Sequence, residues 1–404
     1  MNLDNHADFH DDLFECFPLQ SAIHVTNIVP LAFGHITQLY VLLYLWCMAK
    51  TTGSAFDSFD EAKWLEQAHS VDLLAKHPEG WSMPIRGNVN DSWPEMPRKA
   101  TGEKNEGNLW QLQQSFVHPE DVQQGLAHGV GGLRLKGHTL LSTLLDGVYL
   151  NMVSIHVDRL WNEEDAHDLA KLANGFNIQG SWVIWVADET IDQTPWVEHA
   201  QRMSESFPNM RYLGCDAAQW IESGSSRIDA MVRICKTMDS ILKGIQSANL
   251  DASEVLNGMV WSWSVDVEIL SEIAGLRALR LLWEKWLESH HLGAIPIWID
   301  GRTSSHSYGM DLDTDHLMLQ TAGAYALVVG GADGLEVLPH DVLSGSSKEG
   351  FRWARNIQHL LKEESGLDHI FDPMGGSHTL ESWTHHMLDA AWSLYQGEGN
   401  QRMR

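Results

Sequence analysis

Between residues 110 and 395, short apolar runs alternate with longer stretches whose apolar residues recur every three or four positions. Strand-like runs fall at 132–136, 153–157, 182–186, 211–215, 259–264, 295–299, 335–338 and 370–371. Between them, Leu276, Leu279, Trp283 and Trp286 mark one helical stripe, and Phe351, Ala354, Ile357, Leu360 and Leu361 another. Strands separated by helices must run parallel, because the crossover returns the chain to the same end of the sheet. Eight such units in about 250 residues predict an α/β fold, a (β/α)8 TIM barrel, in which closure leaves no edge strand. A doubly wound open sheet is the competing arrangement, and no G-x-G-x-x-G follows the first strand to support it.

The barrel accounts for 110–395 and leaves flanks. Residues 54–109 combine a short helix at 60–69 with a polar run rich in Asn, Pro and Lys, which reads as an arm that contacts a partner. Residues 28–48 are largely apolar and just long enough to span a bilayer, yet no Lys or Arg precedes Lys50. A secretory signal needs a basic leading region and a spanning helix a basic flank, so both readings weaken. The expectation is that translation starts at Met48 and that 1–47 is an extension absent from the working protein. Residues 396–404 form a tail.

Charge narrows the partners. With 27 basic against 54 acidic residues the formal charge is -27, which repels nucleic-acid phosphates and anionic membranes. Cys16, Cys47, Cys215 and Cys235 are widely spaced with no C-x-x-C pair, as expected for a reducing cytoplasm rather than a disulfide or zinc framework. Eighteen tryptophans are many, and Trp182, Trp185, Trp261, Trp263, Trp283 and Trp286 sit where bulky core is needed.

Barrel chemistry is carried where strands end. There Asp158, Asp188, Asp216, Asp266, Asp300 and Asp372 suggest a ring of carboxylates. Such a ring could hold a hard cation or do acid/base work; equally, each Asp could cap the helix that follows. His156 with Asp158, His290-His291 and His385-His386 look like ligand pairs. Adjacent histidines on a helix diverge by about 100°, however, and no H-E-x-x-H occurs. No metal site is expected. Ser344-Gly345-Ser346-Ser347 lacks the Lys of a phosphate-binding loop and reads as a plain loop.

Three ordered segments carry more specific information. Ala354-Arg355-Asn356-Ile357-Gln358, then Glu363-Glu364-Ser365, then Asp372-Pro373-Met374-Gly375-Gly376-Ser377 form the first. Residues 272–283 (E-I-A-G-L-R-A-L-R-L-L-W) form the second, and Arg302-Thr303 the third. In this order and spacing the chain resembles the adenosylcobalamin-dependent methylmalonyl-CoA mutase family. The resemblance implies a barrel through whose axis coenzyme A threads, followed in catalytic chains by a flavodoxin-like domain. That domain's D-x-H-x-x-G histidine ligates cobalt, and the motif is absent from this sequence.

The chain also departs from the family pattern. Where catalytic chains carry Tyr-His after the fourth strand, alignment on Glu222 and Gly224 places Ala218 and Gln219. The family's Arg and Tyr near the start of the barrel become Gln113 and Ser115, with that segment expected to precede the first barrel helix. Arg302 and Thr303 survive as a vestigial substrate contact, and an acidic mouth is a poor receptor for coenzyme A phosphates. The resemblance therefore implies the small, or beta, subunit of a heterodimeric mutase. Such a chain has no catalytic or cofactor-binding residues of its own, lacks the cobalamin domain, and works beside a large (alpha) subunit that holds adenosylcobalamin. Two alternatives stand: a catalytic barrel served by a separate cobalamin protein, and a metal-dependent barrel enzyme working from the acidic ring.

Overall fold

Eight parallel strands close into a barrel in the computed structural model, which describes residues 107–186, 194–306, 308 and 313–397 together with short pieces before residue 107. Expectations for 1–47, for the 60–69 helix, for Asp188 and for 398–404 of the tail lie outside the described residues. The strands are β1 Gln111–Phe116, β2 Gly132–Leu135, β3 Ser154–Val157, β4 Gln179–Trp185, β5 Met210–Asp216, β6 Met259–Val265, β7 Trp298–Thr303 and β8 Gly334–Glu336. Each pairs in parallel with its sequence neighbours, and β8 pairs with β1 to close the ring. Leu74–Lys76 and Ser82–Pro84 form a separate antiparallel hairpin.

The helices are α1 Pro119–Ala127, α2 Leu141–Leu144, α3 Glu163–Ala173, α4 Thr194–Ser206, α5 Ala217–Glu222, α6 Arg227–Ser247, α7 Ala252–Asn257, α8 Ile269–Ser289, α9 Asp313–Val329, α10 Lys348–His359 and α11 His378–Tyr395. Several start at side chains chosen for the purpose. Asn162, Ser226, Asp251 and Ser347 each accept the N–H three residues on, satisfying a donor that the first turn leaves free. No helix of the described residues is long and apolar enough to cross a membrane.

The count of eight strands holds, but two assignments are corrected. Residues 370–371 are not a strand: Ile370 is 64% and Phe371 39% exposed, in the turn after α10. The missing strand is β1, QLQQSF, so Gln113 and Ser115 lie on the first barrel strand, directly ahead of α1 as expected. β7 begins at Trp298, three residues later than the apolar run suggests, which puts Asp300 inside the strand rather than after it.

The apolar core lies between strands and helices. All seven residues of β6 are buried, as is most of α8, whose length is covered on nearly every side. Trp261 meets Trp283 edge-on at 5.1 Å and Trp283 stacks on Trp286 at 5.4 Å. Trp283 Nε1 donates to the Ile295 carbonyl at 2.6 Å, so the indole N–H is not stranded. Below the barrel, Lys99 Nζ donates to Asn108 Oδ1 at 3.1 Å and to the Leu109 carbonyl at 2.6 Å, fixing the approach to β1.

A polar core inside the barrel and the candidate site

The inside of the barrel is filled by polar side chains. Arg134 on β2 grips Asp158 through two bonds, Nε to Oδ2 at 3.1 Å and Nη2 to Oδ1 at 3.0 Å. Its Nη1 donates to Gln113 Oε1 on β1 at 3.0 Å and to Asp300 Oδ2 on β7. Glu336 Oε2 on β8 lies 3.5 Å from Nε. One side chain that touches groups from four other strands lies inside the barrel and ties β7, β8, β1 and the end of β3 to β2. Burial alone would lower the pKa of this guanidinium, but Asp158, Asp300 and Glu336 reverse that and hold it well above its ordinary value. Burial would likewise raise Glu336, and Lys136, Arg134 and the Ser115 hydroxyl bring it below the usual glutamate value.

A second set lies nearer the strand starts. His156 on β3 bonds Gln111 Oε1 through Nε2 at 2.7 Å, and its Nδ1 is 2.8 Å from the Ser181 hydroxyl. With the proton on Nε2, Nδ1 accepts from serine, and one neutral tautomer satisfies both contacts. Burial pushes the imidazole pKa down to about 4. Gln111 Nε2 donates to Ser154 Oγ at 2.7 Å, and Gln113 Nε2 to Gln111 Oε1 at 3.2 Å.

Packing in this interior is tight. A Cβ at Gly334 would fall 2.2 Å from Gln113 Nε2 and 2.8 Å from Asp300 Oδ1. One at Gly132 would meet Gln111 Oε1 at 2.7 Å. These glycines exist so that glutamine and aspartate side chains can lie flat against the strands.

The carboxylate ring resolves into separate roles. Asp158 and Asp300 neutralise Arg134. Asp216 closes β5 and caps α5, its Oδ1 accepting the Gln219 N–H at 3.2 Å and the Ser262 hydroxyl. Asp266 follows β6, where its N–H donates to Glu272. Asp372 is not at a strand end; with φ 46° it turns the chain and meets Arg277 Nη2 at 2.9 Å. Among the described residues no group of three or more His, Cys, Asp or Glu is arranged to hold a metal ion. His290 packs at a tilt on Trp286 and His385 stacks on Trp93, whereas His156 is part of the polar core.

The residues singled out in the sequence are scattered. Gln113 is bound into the polar core, and Ser115 is engaged by Glu336. Ala218 is fully buried with its N–H on Ser262 Oγ at 3.1 Å, while Gln219 faces solvent on the first turn of α5. Arg302 lies 3.6 Å from Glu222, and Thr303 Oγ1 donates to Gln320 and accepts the Leu338 N–H at 2.9 Å. Thr303 thereby pins β7 to the end of β8. Sequence reasoning missed Arg134, His156's partners and Glu336 as one unit. Their signal was a polar residue at every second position of β1 and β3, with Arg134 between Leu133 and Leu135 in β2.

The C-terminal segments are structural. Arg277 on α8 pairs with Asp372 and with Glu381 on α11 at 2.8 Å, and Glu381 also accepts the Gly376 N–H at 2.9 Å. Arg355 donates to Gln114 Oε1 at 2.6 Å, tying α10 to β1.

Comparison with known proteins follows the same line. The family model described as Methylmalonyl-CoA mutase matches residues 184–397. The methylmalonyl-CoA mutase small subunit of Streptomyces virginiae is 27% identical over 336 residues, covering 77% of this chain and 52% of that protein. That of Porphyromonas gingivalis (strain ATCC BAA-308 / W83) is 25% identical over 205 residues, 48% of this chain and 32% of that protein. The mitochondrial methylmalonyl-CoA mutase of Bos taurus is 29% identical over 203 residues, 48% of this chain and 26% of that protein. The chain thus spans about half the length of the first of these relatives, 52%, and less of the others.

Proposed function

The chain belongs to the methylmalonyl-CoA mutase family, and on that premise we propose that it is the non-catalytic small-subunit barrel of a heterodimeric, adenosylcobalamin-dependent mutase. In this reading the large subunit carries out the conversion of methylmalonyl-CoA to succinyl-CoA in the cytoplasm, and this chain supplies an interface and stability. The observation that carries the reading is Arg134. In the family resemblance coenzyme A threads through the barrel interior, and here that interior holds Arg134 bound to Asp158, Asp300 and Gln113. Opening a path would strand at least two buried carboxylates, a cost of several kcal/mol.

The upper face of the barrel supports the same reading. Ala218 is buried and cannot hydrogen-bond a substrate through its side chain, and Ser115 is already committed to Glu336. No step through the cofactor is therefore assigned to this chain. A split catalytic mutase would need the substrate-side residues that Ala218, Gln219, Gln113 and Ser115 replace.

Co-expression with a catalytic large subunit from the same host, followed by size-exclusion chromatography and absorbance at the cobalamin bands, tests the proposal. We expect a one-to-one coloured, active complex, with this chain alone colourless and inert. A chain that elutes alone beside a large subunit fully active without it would overturn the reading.

A further inference from the structure

A cavity of about 730 Å³ opens at the end of the barrel where the strands begin, opposite the end where barrel enzymes place their catalytic groups. Its lining includes Gln111, Ser154 and Gln179 from the starts of β1, β3 and β4, Arg211 from β5, and Trp298 from β7. A volume of this order suits a small metabolite. Asn209, Glu254 and Asn257 are exposed and Ser204 half-buried, which puts these four lining residues at the rim.

Arg211 is the unusual member. Its guanidinium lies 4.0 Å over the Trp298 ring, a contact that fixes the plane of the fork and leaves its N–H edge free. Among the described residues its side chain takes part in no ion pair or hydrogen bond. The contrast with Arg134, Arg227, Arg277 and Arg280 is sharp, since each of these is paired with carboxylates. Among the described lining residues Arg211 is the one permanent cation and Glu254 the one carboxylate. In a protein of charge -27 an unpaired guanidinium facing a cavity is not needed for solubility. Burial lowers its pKa, opposed by the more distant Asp333 and Asp300, so the charge is held there at a cost that a bound anion would remove.

We propose that this basal cavity is a binding site for a small oxyanion, a carboxylate or phosphate group held edge-on by Arg211 with Trp298 behind it. Two parallel N–H···O bonds to a planar or tetrahedral oxyanion match the free edge of the fork. Gln179, Asn209 and Asn257 supply amide donors for the rest of the ligand. The site is independent of the proposed subunit role, because it lies wholly within this chain and is open at the face opposite Ser115 and Gln219.

The test is titration of the purified full chain with inorganic phosphate and, separately, acetate at constant ionic strength, read by calorimetry. We expect saturable one-site binding of at least one ion, weakened at least tenfold in Arg211→Gln and less in Arg211→Lys. Ser204→Trp, which places a bulky ring at the rim, should also weaken it, and Arg352→Gln on the exposed face of α10 should not. Binding of phosphate alone or acetate alone identifies which ligand class the site takes. No saturable binding of either ion, or binding unchanged in Arg211→Gln, overturns the proposal. Should Arg211→Gln fail to fold, equal binding by wild type, Arg211→Lys and Ser204→Trp would overturn it in the same way.

Discussion

Arg134 on β2 and Asp300 on β7 form an ion pair across the inside of the barrel, with β8 and β1 between their strands. Asp158 and Glu336 complete the surroundings of the guanidinium. The barrel interior is therefore cross-linked by charge, where barrels more often stack branched apolar side chains in layers. Removing the cation leaves three carboxylates facing one another in a low-dielectric space. Arg134→Met should cost about 3–5 kcal/mol of unfolding free energy, read from urea melts of the isolated chain. Adding Asp300→Asn should recover part of that loss. A cost below about 1 kcal/mol would mean that water, not Arg134, screens these acids.

His156 links the polar core to acid stability. Its pKa is held down to about 4 by burial, while the unfolded chain protonates it near the ordinary 6.5. Between those values the unfolded state binds a proton that the folded state refuses. The contribution is present in full above pH 6.5 and is lost as pH falls towards 4. Unfolding free energy should drop between pH 6.5 and 4, and His156→Gln should flatten that drop. An imidazole resonance of His156 that titrates near 6.5 in the folded protein would contradict this.

Gly334 tests how full the interior is. A methyl group there must displace Gln113 or Asp300, both already bonded to Arg134. Gly334→Ala should destabilise by about 1–3 kcal/mol, whereas Gly345→Ala, with open space around its Cβ but φ +113°, reports backbone strain alone. Thermal melts of the two variants separate packing from strain.

These features explain what was legible in the sequence. Strands and helices with apolar faces, such as β6 and α8, declared themselves by burial pattern. β1 did not, because Gln111, Gln113 and Ser115 point into a polar interior and only Leu112 and Phe116 carry apolar surface. Ile370 and Phe371 looked like a strand through composition alone and are exposed. The acidic ring was visible, but its meaning was not, since the distance from Asp300 to Arg134 spans 166 positions of sequence. A cap such as Asp216 and an interior counter-ion such as Asp300 look alike until the barrel closes. Arg211 gave no signal at all, as its lack of a partner is a property of the fold.

The proposed subunit role makes a prediction about repair. If only the missing side chains kept this barrel from handling coenzyme A, Ala218→Tyr, Gln219→His, Gln113→Arg and Ser115→Tyr together would restore binding. The interior says otherwise. Gln113 supports Arg134, Ser115 holds Glu336, and Ala218 has no room around it. The fourfold variant should therefore bind coenzyme A no more tightly than the wild type while losing several kcal/mol of stability. Adding Arg134→Ser, Asp300→Ser and Glu336→Ser, which removes both charge and bulk from the interior, is the change expected to admit a ligand, within whatever stability remains. Equilibrium dialysis with labelled coenzyme A on both variants checks this. Binding gained by the fourfold variant alone would show that the interior is open and would remove the main support for a non-catalytic barrel.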